Sequence, residues 1–384
     1  MGLADDVAAA TPPVNMGRMD LRPDGGEFID IKSDVELASD WSAIFLRFKL
    51  NPADFEIVDD TVRGSTWQQS KRLENGDRDV LNLYSYSAQF RRRKSRIDLP
   101  ALYAEVARTK HRPLKITPTP RHTVVCWADV QTGKVDHLGG VKELLERLDE
   151  KRTKLEAHLR KVKPERIVVA DVGDIIEGIE NVASQLATNG LSLMDQVDVA
   201  AVEFWKTIRL CARFAPVDVL SIPSNHAQLR RGKDLIGKPG DDWGIHISKR
   251  LEHLNAEARL PVTFHRPSDE WEETLVFTIR GTRLGLAHGH QAGGPDRVTA
   301  WWAKLNHAGV MDCDVLLTGH FHFASFHPSG RHAVTKRSKW HIQAPTLDNG
   351  SAWVRNKIGE DGDPGLLAFD ITDDGFDLTS FSVL

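Results

Sequence analysis

The chain has 384 residues, of which 27% are charged, and a net charge of −4. That length accommodates one full domain and a smaller one. No apolar run approaches the roughly 20 residues that span a membrane, and the near-balanced charge gives no global field toward nucleic acid, leaving any such attraction to local patches. Met1 to Asn15 carries Asp5 and Asp6 without an apolar core of signal-peptide length, so a cytoplasmic location is expected. Cys126, Cys211 and Cys313 fall in apolar patterns and read as buried thiols rather than disulfide partners.

Taken in chain order, residues 1–27 show little periodicity and are expected to be mobile. Residues 28–110 read as a small α+β module. A helical pattern begins at Asp34, with Val35, Trp41, Ile44, Phe45 and Phe48 as its apolar positions, and Asn51-Pro52 stops it. A hairpin follows: Trp67 to Glu74, a turn at Asn75-Gly76, and a return from Val80 to Phe90. Tyr84, Tyr86, Ala88 and Phe90 share one face of the return strand, and the basic run Arg91-Arg92-Arg93-Lys94 comes next. Aromatics beside such a run suit a surface for single-stranded nucleic acid; packing of the aromatics on Trp41 and Phe45 is the plainer alternative. Pro100 to Thr109 is a short expected helix, and residues 111–120, rich in proline, form a linker.

Residues 121–384 alternate short apolar runs with helical stretches, the pattern of an α/β sheet. The expected helices are Val141 to Val162, Asp195 to Phe214, Trp243 to Ala258 and Asp296 to Ala308. Gly365 to Leu384, around Asp373-Asp374-Gly375, should be a β-hairpin. Each of five apolar runs ends in groups that bind metals. Thr123 to Ala128 leads to Asp129-Val130-Gln131, and Arg166 to Ala170 leads to Asp171-Val172-Gly173-Asp174. Val217 to Pro223 leads to Ser224-Asn225-His226, Arg283 to Ala287 to His288-Gly289-His290, and Cys313 to Thr318 to Gly319-His320-Phe321-His322. Ligand groups in α/β sheets collect outside the strand ends. A lone Asp after a strand is more often a helix cap and a lone Asn-His a turn, but five such ends together point to a metal centre.

This order of motifs resembles the calcineurin-like metallophosphoesterase superfamily over roughly residues 119–384. The resemblance implies a two-sheet sandwich flanked by helices and two divalent ions. Asp129, Asp174 and His322 would hold the first, with Gln131 a fourth ligand or a donor to a bound water. Asp174, Asn225, His288 and His320 would hold the second, with Asp174 bridging. His226 would face the substrate and protonate the leaving group. Two departures stand out. Gln131 occupies a position where the family has histidine, and Ala227 replaces the carboxylate that steadies the catalytic histidine. Gln131 and the segment from Trp67-Gln68-Gln69-Ser70-Lys71 to Asn75-Gly76-Asp77 are similar to metallophosphoesterases encoded by actinobacterial phages.

Mixed Asp, Asn and His ligation suits manganese best, then iron or zinc, with magnesium a poorer match; no Cys joins a cluster, against a structural zinc site. A pair of ions neutralises a phosphodiester and acidifies water, so hydrolysis of phosphodiesters in DNA or RNA is the expected function, with no membrane partner. A small-molecule phosphatase or cyclic-nucleotide phosphodiesterase is the alternative within enzymes, and a non-catalytic scaffold the alternative outside them. Asp171 is expected to be structural, and His290, the weaker member of its pair, is either a packing group behind the ligands or part of the site. His327, His332 and His341 read as surface or packing residues, with the cleft wall as the alternative; of Trp301 and Trp302 one is expected in the core and the other over the cleft rim, the alternative being a stacking surface for a base.

Overall fold

The computed structural model describes residues 17–22, 25–33, 40–52, 55–73, 77–92, 108, 111–181, 185–232, 234–352, 354–359 and 362–384. The chain divides into two compact units, Met1–Ser95 and Arg96–Leu384.

In the first unit, β1 (Arg18–Arg22) and β2 (Gly25–Ser33) precede helix α1 (Ser42–Arg47), and β3 (Phe55–Ile57), β4 (Arg63–Arg72) and β5 (Arg78–Arg92) follow. Strand β5 is the hub: it pairs antiparallel with β2, β3 and β4. The β4–β5 pairing is the expected hairpin, begun four residues earlier than Trp67; its turn at Asn75-Gly76 lies outside the described residues. The expected mobile leader is corrected from Arg18 onward, because β1 pairs along β2 and Gly25 and Gly26 lie against Phe90 too closely for any side chain. Residues 1–16 lie outside the description. So do 34–39 of the helix expected from Asp34 and all of Pro100 to Thr109 but Arg108. Phe90 of β5 is core, Tyr86 packs half-buried against the same cluster, and Tyr84 is half-exposed. Phe90 meets Phe28, Phe45 and Phe55, Tyr86 meets Trp41 edge-on, and Tyr84 stacks on Tyr86.

The second unit is built on two sheets. One has the order β11-β8-β7-β6-β17-β18, from β6 (Thr119–Trp127), β7 (Pro164–Asp171), β8 (Val217–Ser221), β11 (Val262–His265), β17 (Leu367–Thr372) and β18 (Gly375–Val383); its first four strands are parallel and its last two antiparallel. The other has β12 (Thr274–Ile279), β13 (Thr282–Ala287), β14 (Val315–Thr318), β16 (Ser338–Gln343) and β15 (Ser325–Arg331), with β13, β14 and β16 parallel in its middle. The short pair β9 (Arg230–Arg231) and β10 (Asp234–Leu235) stands apart.

Side-chain alternation explains why the central strands read as unbroken apolar runs. On β6, Val124 and Cys126 pack between the sheets while Val125 and Trp127 face the helices. On β7, Val168 and Ala170 turn inward and Ile167 and Val169 outward. Helices α2 (Val141–Val162), α3 (Leu193–Ala212) and α4 (Trp243–Ala258) cover that outer face, and α5 (Val298–His307) covers the second sheet with Trp302 buried beneath it. Helix α2 buries Leu144, Leu148, Leu155 and Leu159 as one stripe, and Asp242 caps α4 by accepting from the Ile245 N–H at 2.9 Å. Cys126, Cys211 and Cys313 are buried free thiols. No helix among the described residues is long and apolar enough to cross a membrane.

Candidate metal centre

Strands β6, β7 and β8 of one sheet and β13 and β14 of the other end at the same edge of the sandwich, and the five motifs follow those ends. Asp129 comes two residues after β6, Asp174 three after β7, and Asn225 and His226 just past β8. His288 immediately follows β13, and His320 and His322 follow β14. To turn there the backbone enters the left-handed region at Asp129, Gln131, Asp174, His320 and His322, with φ of +49°, +43°, +52°, +73° and +67°. Two glycines allow the close approach. A Cβ on Gly319 would stand 2.6 Å from Asp129 Oδ2, and one on Gly173, at φ +98°, would stand 2.8 Å from His288 Nδ1.

Asp174 is the centre. Its Oδ1 accepts the His226 backbone N–H at 3.0 Å, and its own N–H donates to Ser224 Oγ at 2.7 Å. Its Oδ2 lies 2.9 Å from His288 Nε2. His288 donates from Nδ1 to the Val172 carbonyl at 2.8 Å, which turns Nε2 toward Asp174. The ligand atoms of Asp174, His288 and His320 all lie within 4.8 Å of one another. Asp174 Oδ2, His288 Nε2 and Asn225 Oδ1 are buried with no hydrogen-bond partner among the described residues. The 2.9 Å approach of the first two therefore lacks hydrogen-bond geometry. Orphaned ligand atoms of this kind cost stability unless a cation satisfies them, so Asp174, Asn225, His288 and His320 fit a divalent ion.

The electrostatics suit a cation at Asp174 and His320, while His288 would give up a proton to bind one. Burial pushes the Asp174 carboxyl up, but His288 and His226 beside it hold it well below the usual range. Burial pushes His288 down, but the Asp174 carboxylate holds it up at about 9. Burial, then repulsion by His288, keeps His320 well below the usual imidazole range and so neutral, with a lone pair to offer.

The first subsite of the expected pair is built differently. Both Asp129 oxygens accept the His320 backbone N–H, at 3.0 and 2.9 Å. His322 Nε2 lies 3.5 Å from Asp129 Oδ1, and its Nδ1 3.6 Å from Asp348 Oδ2. The Gln131 amide oxygen accepts from Lys134 Nζ at 2.5 Å, and the same ammonium donates to Asp348 Oδ2 at 2.6 Å.

His226 lies on the other side of Asp174. Its Nδ1 donates to the Glu177 carbonyl at 2.9 Å and lies 3.3 Å from the Glu177 carboxylate, while Nε2 stays 3.9 Å from Asp174 Oδ2. Glu177 thus supplies the steadying group missing at Ala227. Burial pushes His226 down, but Asp174 and Glu177 hold it up at about 9.

A cleft of about 770 Å³ opens over these groups; its wall includes Gln131, Lys134, Asn225, His226, Arg230 and His290. Sequence patterns alone did not single out Lys134, Glu177, Arg230 or Asp348. The signal that could have marked Lys134 was only its place three residues after Gln131. His290 lines the cleft outside the Asp174–His288–His320 trio, 3.4 Å from Arg230, and burial brings it down to about 3. Asp171 is wholly buried and accepts the Gly173 N–H at 3.1 Å, a structural role.

The remaining candidates are placed as follows. His327, His332 and His341 do not line the cleft. His341 is buried on Thr318 Oγ1 at 2.8 Å, His327 stacks on His341, and His332 meets Arg283 at 2.6 Å. Trp302 is core and donates to the Met311 carbonyl, while Trp301 packs on the same cluster and not on the cleft. In the basic run Arg91 is paired with Glu56 at 2.6 Å and the backbone of Arg92 pairs with β3; Arg93 and Lys94 lie outside the described residues. A larger basic groove, about 1010 Å³, is lined by Arg108, Arg112, Lys206, Arg209 and Arg213 in the second unit.

No protein-family model matches the sequence, and no curated protein matches it. Solved structures are similar in part. Vps29 with bound zinc from Entamoeba histolytica is 13% identical, over 65% of this chain and 87% of that one, with a TM-score of 0.29. A Streptococcus pneumoniae protein described as a predicted phosphoesterase is 12% identical, over 69% and 98%, with a TM-score of 0.24. PhoD is 8% identical, over 95% and 85%, with a TM-score of 0.33. At these identities and TM-scores the likeness carries no weight for function, which rests on the geometry of the centre.

Proposed function

We propose that the protein is a metal-dependent phosphoesterase that hydrolyses phosphodiester bonds, with nucleic acid as its substrate. The observation that carries this reading is the set of buried, unpartnered ligand atoms on Asp174, Asn225 and His288, with His226 poised beside them. Asp174, Asn225, His288 and His320 would hold a divalent ion, and manganese suits their mixed oxygen and nitrogen donors. Such an ion supplies positive charge to the phosphate oxygens and acidifies water. Asp129 and His322 offer a second, poorer donor set.

The protein's own groups do the rest. Glu177 fixes the His226 ring through Nδ1, leaving Nε2 on the cleft side to give its proton to the departing oxygen. Lys134 and Arg230 on the cleft wall attract the anionic phosphate. The reading of nucleic acid as the substrate class draws on the basic groove of Arg108, Arg112, Lys206, Arg209 and Arg213, which lies by the starts of β6, β8 and β11, at the strand edge opposite the centre, where only an extended polyanion could reach both.

The test compares bis-p-nitrophenyl phosphate with p-nitrophenyl phosphate in the manganese-loaded protein. Faster turnover of the diester is expected; turnover of neither, with metal shown to be bound, would leave a binding scaffold. Binding of single-stranded oligonucleotides then tests the substrate class. Replacing Arg112, Arg209 and Arg213 by Gln should lower the slope of log affinity against log salt by about 0.7 per lost phosphate contact. An unchanged slope would remove the groove from the argument.

A further inference from the structure

Lys134 is a buried lysine, 6% exposed, on the wall of the cleft. Its ammonium has three N–H donors, of which Gln131 Oε1 and Asp348 Oδ2 take two at 2.5 and 2.6 Å. Gln131 stands where the resemblance requires a ligand for the first ion, yet its amide oxygen is turned to a positive charge. Asp348, itself fully buried, lies 3.6 Å from the His322 imidazole. The first subsite therefore already holds a cation that is part of the chain.

The geometry points to a centre that works with one divalent ion and one lysine. The ion is held by Asp174, Asn225, His288 and His320, and the Lys134 ammonium takes the second cation's part by presenting its third N–H to a phosphate oxygen in the cleft. The charges favour this division. A divalent ion on Asp129 and His322 would have to compete with the Lys134 ammonium, which already occupies the Gln131 and Asp348 oxygens nearest that subsite. A lysine charge also survives metal depletion, so phosphate attraction would persist in the metal-free protein. Arginine at 134 would keep the charge, whereas an uncharged residue would free Gln131 and Asp348 to serve a metal.

This rests on the phosphoesterase reading for the purpose of the lysine, but its test does not depend on turnover. The metal-free protein is dialysed against manganese, bound ions are counted by mass spectrometry, and the electron paramagnetic resonance spectrum is recorded. One ion per chain with the six-line signal of isolated manganese is expected. Gln131→His combined with Lys134→Met should hold two ions and give the spectrum of an exchange-coupled pair, while Lys134→Arg should keep one. Two ions of similar affinity with a coupled spectrum in the unaltered protein would overturn the proposal. So would a double variant that unfolds at the wild-type temperature yet holds one ion. If the double variant does not fold, the unaltered protein's count and spectrum decide alone. Diester hydrolysis is measured on the same samples: one ion without hydrolysis sinks the phosphoesterase reading and leaves the one-ion centre standing.

Discussion

Replacing His226 by Ala separates proton donation from metal binding. The structure links His226 to Asp174 in two ways. The backbone N–H donates to Asp174 Oδ1 at 3.0 Å, and the ring holds Nε2 3.9 Å from Oδ2. Alanine keeps the first link and removes the second, so the metal ligands should stay in place. The Glu177 carbonyl that loses the ring Nδ1 still accepts from the Gln185 amide, which limits local damage. What disappears is the group aimed at the leaving oxygen. A positioned general acid contributes roughly 10²–10⁴-fold, equivalent to about 3–5 kcal/mol of barrier. That loss should appear in full on an oligonucleotide, whose alkoxide leaving group needs a proton. It should shrink to about tenfold or less on bis-p-nitrophenyl phosphate, whose leaving group departs as a stable anion. The assay is kcat on both substrates at saturating manganese, with bound metal counted in each sample. Equal losses on the two substrates would refute proton donation. Loss of the metal would show that His226 is a ligand.

Two further outcomes follow from neighbouring contacts. Glu177→Gln keeps the backbone carbonyl on His226 but removes the carboxylate 3.3 Å from Nδ1; turnover of oligonucleotides should fall about tenfold or more with metal content unchanged, and an undiminished rate would mean the carbonyl suffices to orient the ring. Burial, aided by mutual repulsion, raises Asp171 to about 7, and burial does the same to Asp242. These acids are more protonated in the folded chain than in the unfolded one. The stability they contribute is therefore present at low pH and is lost as pH rises from the usual carboxylate range through about 7. Asp171→Asn should flatten that decline in thermal denaturation between pH 5 and 8, conditions chosen as roughly spanning the shift; an unaltered pH dependence would show that the pair ionises without penalty.

Much of the fold was legible because the second unit obeys local rules. Helices over Val141–Val162 and Trp243–Ala258 have the boundaries their periodicity predicts, and the hairpin of β17 and β18 turns at Asp373-Asp374 as its composition requires. Strand β16 was not legible. Its Ser-Lys-Trp-His-Ile-Gln sequence has no apolar run, yet it sits beside β14 in the middle of a sheet. His341 and Gln343 can be buried there because both bond to Thr318 Oγ1, each at 2.8 Å, and Thr318 lies on the neighbouring strand. Periodicity cannot reveal polar burial satisfied across strands. The same limit hid part of the centre. Lys134 and Asp348 are 214 residues apart and meet only in the folded chain. Glu177, three residues past Asp174, carried no motif of its own.

The backbone shows how the two sheets are made to share one centre. Of the eleven non-glycine residues at positive φ among the described residues, Asp129, Gln131, Asp174, His320 and His322 belong to the site. Each such residue costs about 1–3 kcal/mol and persists only where its surroundings over-determine it. Here the surroundings are polar ties running between the sheets. Asp129, at the end of β6, accepts the backbone N–H of His320 at the end of β14. The Asp129 carbonyl accepts from Thr346 Oγ1 at 2.9 Å, and within the second sheet the Gly319 carbonyl accepts from Gln343 Nε2 on β16 at 2.6 Å. Strands with fully buried side chains on both faces anchor each turn from below. The strain is therefore sustained by the sandwich core, and in return it aims side chains from five strand ends at one point before any ligand arrives. Preorganisation of this kind places the energetic cost of assembling the centre in folding, where it lowers stability slightly, and not in the binding of metal or substrate. Asp129 is consequently as much a clasp between sheets as a ligand, and a change there should loosen His320 and the ion it helps to hold even if Asp129 never touches that ion.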